Sequence, residues 1–364
     1  MTRPVANPGT DDLLGHEQVC GRLWQALESN RLHHCYLFSG PEGVGKRTVA
    51  QRLAMAANCE SVGPVLLGPP TPRPCGHCIP CTQIAQGTHP DVVEVERDPS
   101  KKVAMIGVDQ AREVIRMLSL HRHSAQRRFV IIDPADIMRR EAANALLKTF
   151  EEPPAATTFI LVTARPTALL PTVLSRSVRV RFHPVPESQL ETWLTEREVA
   201  SPTRIARLSG GSPGRALQLL DGEADALTST REELLLALSG GTSAVMSYAE
   251  TLVKGSRETY EPRVLRLLQV LEYLLRDAVL VASGRDDALI DVEGRAVSEQ
   301  WARALWPSGI RVIDAALVEA RSQLAVHITP RLVLGALLTR LHRELGAWST
   351  GDASVAGHGV APHG

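Results

Sequence analysis

Residues 36–52 read YLFSGPEGVGKRTVAQR, a short apolar run, then a glycine-rich turn, then the opening of a helical pattern. Strand, glycine loop and helix in that order are the context in which GxxxxGK becomes a phosphate site. The glycines let the backbone wrap a polyphosphate, the helix start aims N–H groups at it, and the lysine adds a charge near the β and γ positions. Gly40, Gly43, Gly45 and Lys46 are therefore candidate nucleotide-binding residues. The residue after the lysine should carry a hydroxyl for magnesium, but it is Arg47, which cannot ligate a cation. Thr48 comes one residue late, about 100° further round the helix. A metal at this loop is thus compromised, while nucleotide binding is not.

Four more short apolar segments follow, around DVVEV, RFVIID, TFILVTA and VRVRF, with helical patterns such as 109–120 and 140–150 between them. Strands alternating with helices predict a parallel sheet covered on both faces. Residues 1–185 accordingly form an α/β nucleotide-binding module with a five-stranded parallel sheet. In RFVIIDPAD the strand ends on Asp133, placed to orient magnesium, but the neighbouring position, where a hydrolytic site has a water-polarising glutamate, is Pro134. Asp136 stands two residues further along a proline-set turn. Both departures affect hydrolysis rather than phosphate binding.

Cys59, Cys75, Cys78 and Cys81 are spaced Cx15CxxCxxC. Thiols so close in sequence do not readily pair off as disulfides, and four soft ligands suit a closed, structural, tetrahedral zinc site. The zinc would staple a loop at 59–81 inserted in the module. His77 lies among the cysteines as a bystander, and Cys20 and Cys35 read as buried small hydrophobes.

Beyond residue 186 the β signal stops. Residues 186–225 read as a small helical lid domain broken by LSGGSPG, 226–347 as an all-α domain, and 348–364 as a disordered tail. The longest apolar run, Val264–Ala282, is interrupted by Arg266, Glu272, Arg276 and Asp277, which makes it an amphipathic helix rather than a membrane span. No secretory h-region precedes the module, so a soluble, cytoplasmic protein is expected. The formal net charge of 0 provides no overall field for steering onto nucleic acid or anionic membranes, and the 5 lysines stand against 35 arginines.

The succession NRLHHCYLFSGPEGVGK, ANCE with CxxCxxC, NALLKTFEEPP and LSRS resembles the bacterial replicative clamp loader, an AAA+ assembly of DNA polymerase III, over residues 12 to about 222. Within that family the chain is more similar to delta-prime subunits than to gamma/tau motors. The resemblance implies an AAA+ module, a lid and a helical collar that oligomerises with gamma/tau and delta subunits. It also implies an arginine finger at Arg176, in Ser175-Arg176-Ser177, which acts in trans on a neighbour's ATP site. Thr163 matches the sensor-1 position and Arg215 the sensor-2 position. The implied partners include the sliding clamp and, through the assembly, primed DNA.

Two functional readings follow. In the first, the chain is a non-hydrolysing delta-prime subunit that holds ATP or ADP, if any, without cleaving it. In the second it is a gamma/tau-like ATPase motor, with Thr48 or another ligand holding magnesium and Asp136 replacing the missing glutamate. Positions 47 and 134 favour the first.

Overall fold

The computed structural model describes residues 13–61, 74–97, 105–292, 294–325 and 328–346. The tail expected at 348–364 and most of the insert between Cys59 and Cys75 lie outside these residues. Strands form where the apolar runs predict them: β1 (Cys35–Ser39), β2 (Val92–Val95), β3 (Arg128–Ile132), β4 (Thr157–Thr163) and β5 (Val178–Arg181). They pair in parallel in the order β2-β3-β4-β1-β5.

Successive strand side chains alternate between faces, and both faces are buried. Tyr36, Phe38, Phe129, Ile131, Ile160 and Val162 share one core with Leu23, Val49, Leu53 and Ile84. These last four come from α1 (Glu17–Glu28), α2 (Lys46–Asn58) and α3 (Ile79–Ala85). Leu37, Val130, Ile132, Phe159 and Leu161 belong to the opposite core, with Val114, Leu118, Leu146, Phe150 and Val173. Those side chains come from α4 (Val108–Ser119), α5 (Arg140–Glu151) and the short α6 (Pro171–Leu174). The edge strand β5, VRVR, is largely exposed, and its arginines discourage pairing with another chain.

Contacts divide the chain into two units: residues 1–202 with 209–217, and residues 203–208 with 218–364. The segment expected to form a separate lid, 186–225, is therefore shared between them. Its helices are α7 (Glu187–Thr195), α8 (Pro202–Ser209) and α9 (Pro213–Gln218). Hydrogen bonds account for the division. The Val185 N–H donates to Gly211 O at 2.8 Å and the Gly214 N–H to Gly43 O at 2.9 Å, tying 209–217 to the sheet unit. Arg204 donates to Thr228 Oγ1 at 2.7 Å and Arg207 to the carbonyls of Leu289 and Asp287, tying 203–208 to the helical unit.

The helical unit continues through α10 (Ala224–Ser239), α11 (Gly241–Leu252), α12 (Arg257–Ala282), α13 (Arg295–Leu305), α14 (Ser308–Ala325) and α15 (Pro330–Leu345). Helix α12 is the run read as amphipathic, and it buries Val264, Leu267, Leu268, Leu271, Leu274 and Leu275 among the others. An open groove of about 770 Å³ is lined by residues of α11 and α15, including Met246, Leu332, Gly335 and Ala336. It includes no residue of the phosphate loop.

A buried ion pair braces the β2–β3 side of the sheet unit. Asp91 Oδ2 accepts the N–H groups of His123, Ser124 and Ala125 at 2.8, 2.9 and 3.1 Å, and Oδ1 accepts Arg128 Nε at 3.0 Å. Burial pushes the Asp91 carboxyl up, but these donors outweigh it and hold the group below its ordinary range. A depressed folded-state pKa stabilises above the unfolded value and ceases to do so as pH falls through the folded one. Asp91→Ala should cost about 3 kcal/mol by urea denaturation near neutral pH, because it strands a buried guanidinium. The gap between wild type and Asp91→Asn should close below about pH 4.

Candidate nucleotide site and cysteine cluster

The parallel register brings the sequence-predicted nucleotide residues to one end of the sheet. Ser39, the last residue of β1, lies opposite Thr163, the last residue of β4, and the Gly40 N–H donates to Thr163 O at 3.2 Å. Asp133 follows β3 at the same end, where ligands of parallel α/β sheets bind. Gly40 passes so close to β5 that a Cβ there would lie 2.3 Å from Phe182 O. Gly43 needs its glycine twice over, since φ is +71° and a Cβ would stand 2.4 Å from Ser212 Oγ. Gly45, also left-handed, starts α2.

Ser212 Oγ donates to Glu42 O at 2.9 Å and the Gly214 N–H to Gly43 O, so the turn before α9 braces the loop from outside. Arg215 is half-buried, and its N–H donates to Ser212 Oγ at 3.2 Å. The backbone of the sensor-2 candidate thus lies beside Gly43. Lys46 is 6% exposed, and its ammonium donates to Gly40 O at 2.7 Å and to Pro41 O. Burial lowers its pKa, opposed by the charges of Asp133, Glu42 and Asp136. Among the described residues, the N–H groups from Gly43 to Thr48 donate to no protein acceptor. Orphan amides wrapped round a buried lysine fit a polyphosphate. Thr48 itself is exposed, and its hydroxyl makes no hydrogen bond among the described residues.

The magnesium half of the site does not fit in the same way. Arg47 Nη2 donates to Glu94 Oε2 at 2.5 Å and also pairs with Glu96. Gln51 Nε2 takes the other Glu94 oxygen at 2.7 Å. Asp133 is pushed up by burial and pulled back by Arg47 and Lys46, with Glu96 and Glu94 adding to the upward push. The guanidinium charge is thus felt at Asp133, while its hydrogen bonds go to Glu94 and Glu96.

Asp136, the possible substitute for the absent glutamate, is fully engaged. Thr163 Oγ1 donates to its Oδ1 at 2.7 Å, and Arg165 Nε and Nη2 donate to its Oδ2 at 2.9 and 2.7 Å. The Arg165 N–H in turn donates to Thr163 Oγ1 at 2.9 Å. The Asp136 side chain is 5% exposed. Three donors thus hold a carboxylate that is nearly excluded from solvent.

Arg176 lies at the other end of the sheet. It precedes β5, which pairs with β1 from Tyr36↔Val178 to Ser39↔Arg181, a strand length of about 10 Å. Its Nε donates to Glu151 Oε1 at 2.5 Å and its Nη1 to Thr172 O at 2.9 Å. It therefore stands at the opposite end of the strands from the chain's own phosphate loop.

The four cysteines converge. Their sulfurs lie within 4.8 Å of one another, with Cys59 at the C-terminal end of α2 and Cys81 in α3. A metal with bonds of about 2.3 Å to four sulfurs spaces them about 3.8 Å apart, so the set could hold one with little adjustment. Burial pushes Cys75 up, but hydrogen bonds from Ser61 and from the N–H groups of His77 and Cys78 outweigh it and bring the thiol to about 6. Burial raises Cys59 and Cys81. The exposed His77 turns Nδ1 to Cys75 O at 2.8 Å and stays outside the cluster.

Sequence reasoning missed Glu94, Glu96, Arg165, Glu151 and Ser212. Each acts through a partner distant in sequence, at separations such as 47 residues for Arg47–Glu94 and 170 for Ser212–Glu42. The alternation in DVVEV marks Glu94, but nothing local assigns it to Arg47.

A parallel sheet in this order, with a phosphate loop after β1 and an acidic residue after β3, defines an AAA+ P-loop module. A family profile described as "DNA polymerase III, delta subunit" matches residues 15–186. The delta-prime subunit of Escherichia coli DNA polymerase III is 32% identical over 330 residues, covering 89% of this chain and 93% of that one. The E. coli tau subunit is 30% identical over 339 residues, covering 86% of this chain and 50% of the relative, so the chain spans about half of tau's length. Among solved structures, a gamma subunit-related protein of Thermotoga maritima is 21% identical with a TM-score of 0.42, covering 88% of this chain and 98% of that one. The chain belongs to the delta-prime/gamma/tau family of bacterial DNA polymerase III clamp-loader subunits. Among the described residues, no helix is long and apolar enough to cross a membrane.

The cysteine geometry makes a direct prediction. Metal analysis of the purified chain should find about one thiophilic divalent ion per molecule. Cys81→Ser should lower that content and the melting temperature together, and a chelator should reproduce both effects in the wild type.

Proposed function

We propose that the chain is the non-motor, delta-prime-type subunit of its clamp loader. It assembles with gamma/tau and delta subunits and helps place a sliding clamp on primed DNA. It does not hydrolyse ATP itself, and it lends Arg176 to the ATP site of an adjacent motor subunit. The observation that carries this reading is the Thr163–Asp136–Arg165 network, in which the acid nearest the missing glutamate is locked away from water. The similarity to both delta-prime and tau subunits of E. coli supports its place in a clamp loader.

Chemically, the contribution of Arg176 is electrostatic. A guanidinium brought to a γ-phosphate from a neighbouring subunit neutralises charge that develops as the phosphoryl group leaves, and such fingers are worth about 10³–10⁵ in rate. To act, Arg176 must exchange Glu151 for phosphate oxygens, and its location at the sheet end opposite the loop directs it outward. Nucleotide at the chain's own loop would be held by Lys46 and the amides of residues 43–48, with Arg215 beside it. The metal in the cysteine cluster is zinc in this reading, because four thiolates leave no open position and suit a structural d¹⁰ ion.

The test is ATP turnover. The purified chain alone should show none above background. Motor subunits reconstituted with Arg176→Ala should lose about 10³-fold or more at the site this chain serves, read as a fall in DNA-stimulated turnover by at least that site's share. Turnover by the isolated chain would overturn the non-motor reading, and an unchanged rate with Arg176→Ala would overturn the finger.

A further inference from the structure

At the phosphate loop, the groups that grip an anion and the groups that seat a metal have been treated differently. The donors that wrap a polyphosphate are all present and unpaired within the protein, from the Gly43 to the Thr48 N–H. Magnesium demands near-octahedral oxygen ligands at about 2.0–2.1 Å. At residue 47 it would meet a guanidinium instead. That guanidinium is fixed: Glu94 and Glu96 both bind Nη2, and Gln51 holds Glu94 from the other side. The Arg47 side chain is nonetheless 42% exposed, and among the described residues its Nε and Nη1 donate to no acceptor. Two N–H-bearing nitrogens of a positioned cation are therefore available on the residue that follows Lys46.

The geometry points to a magnesium-independent polyphosphate site, in which Lys46, the loop amides and the unspent N–H groups of Arg47 take the phosphates of a nucleoside di- or triphosphate directly. Glu94 and Glu96 hold Arg47 in the place of the metal. The ion that normally bridges loop, acid and phosphate is thereby replaced by a side chain that arrives already oriented. This rests on the reading that the loop takes nucleotide, and it goes further by specifying the counter-charge.

The test is equilibrium binding of a fluorescent ADP analogue, repeated by calorimetry with ADP and ATP, in EDTA and in excess magnesium. For the wild type, dissociation constants in the two conditions should agree within about twofold, because no ligand set for magnesium is present. Arg47→Thr restores the hydroxyl and removes the cation. It should bind about tenfold more weakly than wild type in EDTA and recover most of that loss in magnesium. Arg47→Lys, which keeps the charge, should stay insensitive to the metal.

The proposal is overturned if magnesium tightens wild-type binding about fivefold or more, if the wild type binds in neither condition, or if wild type and Arg47→Thr respond alike. The wild-type comparison needs no variant, so a poorly folded Arg47→Thr does not rescue the proposal. Failure here is distinguishable from failure of the non-motor reading, which is read by turnover of the chain alone and does not require nucleotide to bind.

Discussion

The hydrogen-bonded register of β1 with its two neighbours is the constraint on which the molecule's chemistry depends. Pairing Ser39 with Thr163 gathers the phosphate loop, Asp133 and the Thr163 hydroxyl at the carboxyl ends of the strands. Pairing Tyr36 with Val178 places Arg176 at the amino ends. A one-residue slip would exchange the side chains of the two buried faces, so the two differently packed cores lock both arrangements together. One fold thus presents a polyphosphate cradle at one end and a cation at the other.

At the cradle end, charge balance explains how an arginine is tolerated where a metal's hydroxyl belongs. An unpaired guanidinium beside a buried lysine would be costly, and Glu94 and Glu96 offset that cost. Asp136 is satisfied just as fully by Arg165 and Thr163. These are two independent acid–arginine pairings close to the loop. Substituting residue 47 alone therefore leaves the second pairing untouched, since Asp136 stays engaged by Arg165 and Thr163.

The sequence made the sheet and the loop readable for physical reasons. Parallel strands buried on both faces are continuous apolar runs, and GPEGVGK carries its conformational demands in its glycines. The cysteines were legible because thiol spacing is itself a chemical pattern. The fate of the suspected defects was not legible. Whether Arg47 is idle or paired depends on a strand 47 residues away, and whether Asp136 is a base or a captive depends on Arg165 across the end of β4. The division of residues 186–225 between the two units was not legible for a related reason. Short polar helices carry little hydrophobic signal of their own, and Gly214, Ser212 and Arg207 follow whichever neighbours supply their hydrogen-bond partners.

Helix α2 links the cradle to the cysteines, because one end of it offers the loop's amides and the other ends on Cys59. Its 13 residues make a rod of about 20 Å, clamped at both extremities. A change in the spacing of the four thiols would therefore act on the C-terminal end of the same helix whose N-terminal amides face the loop.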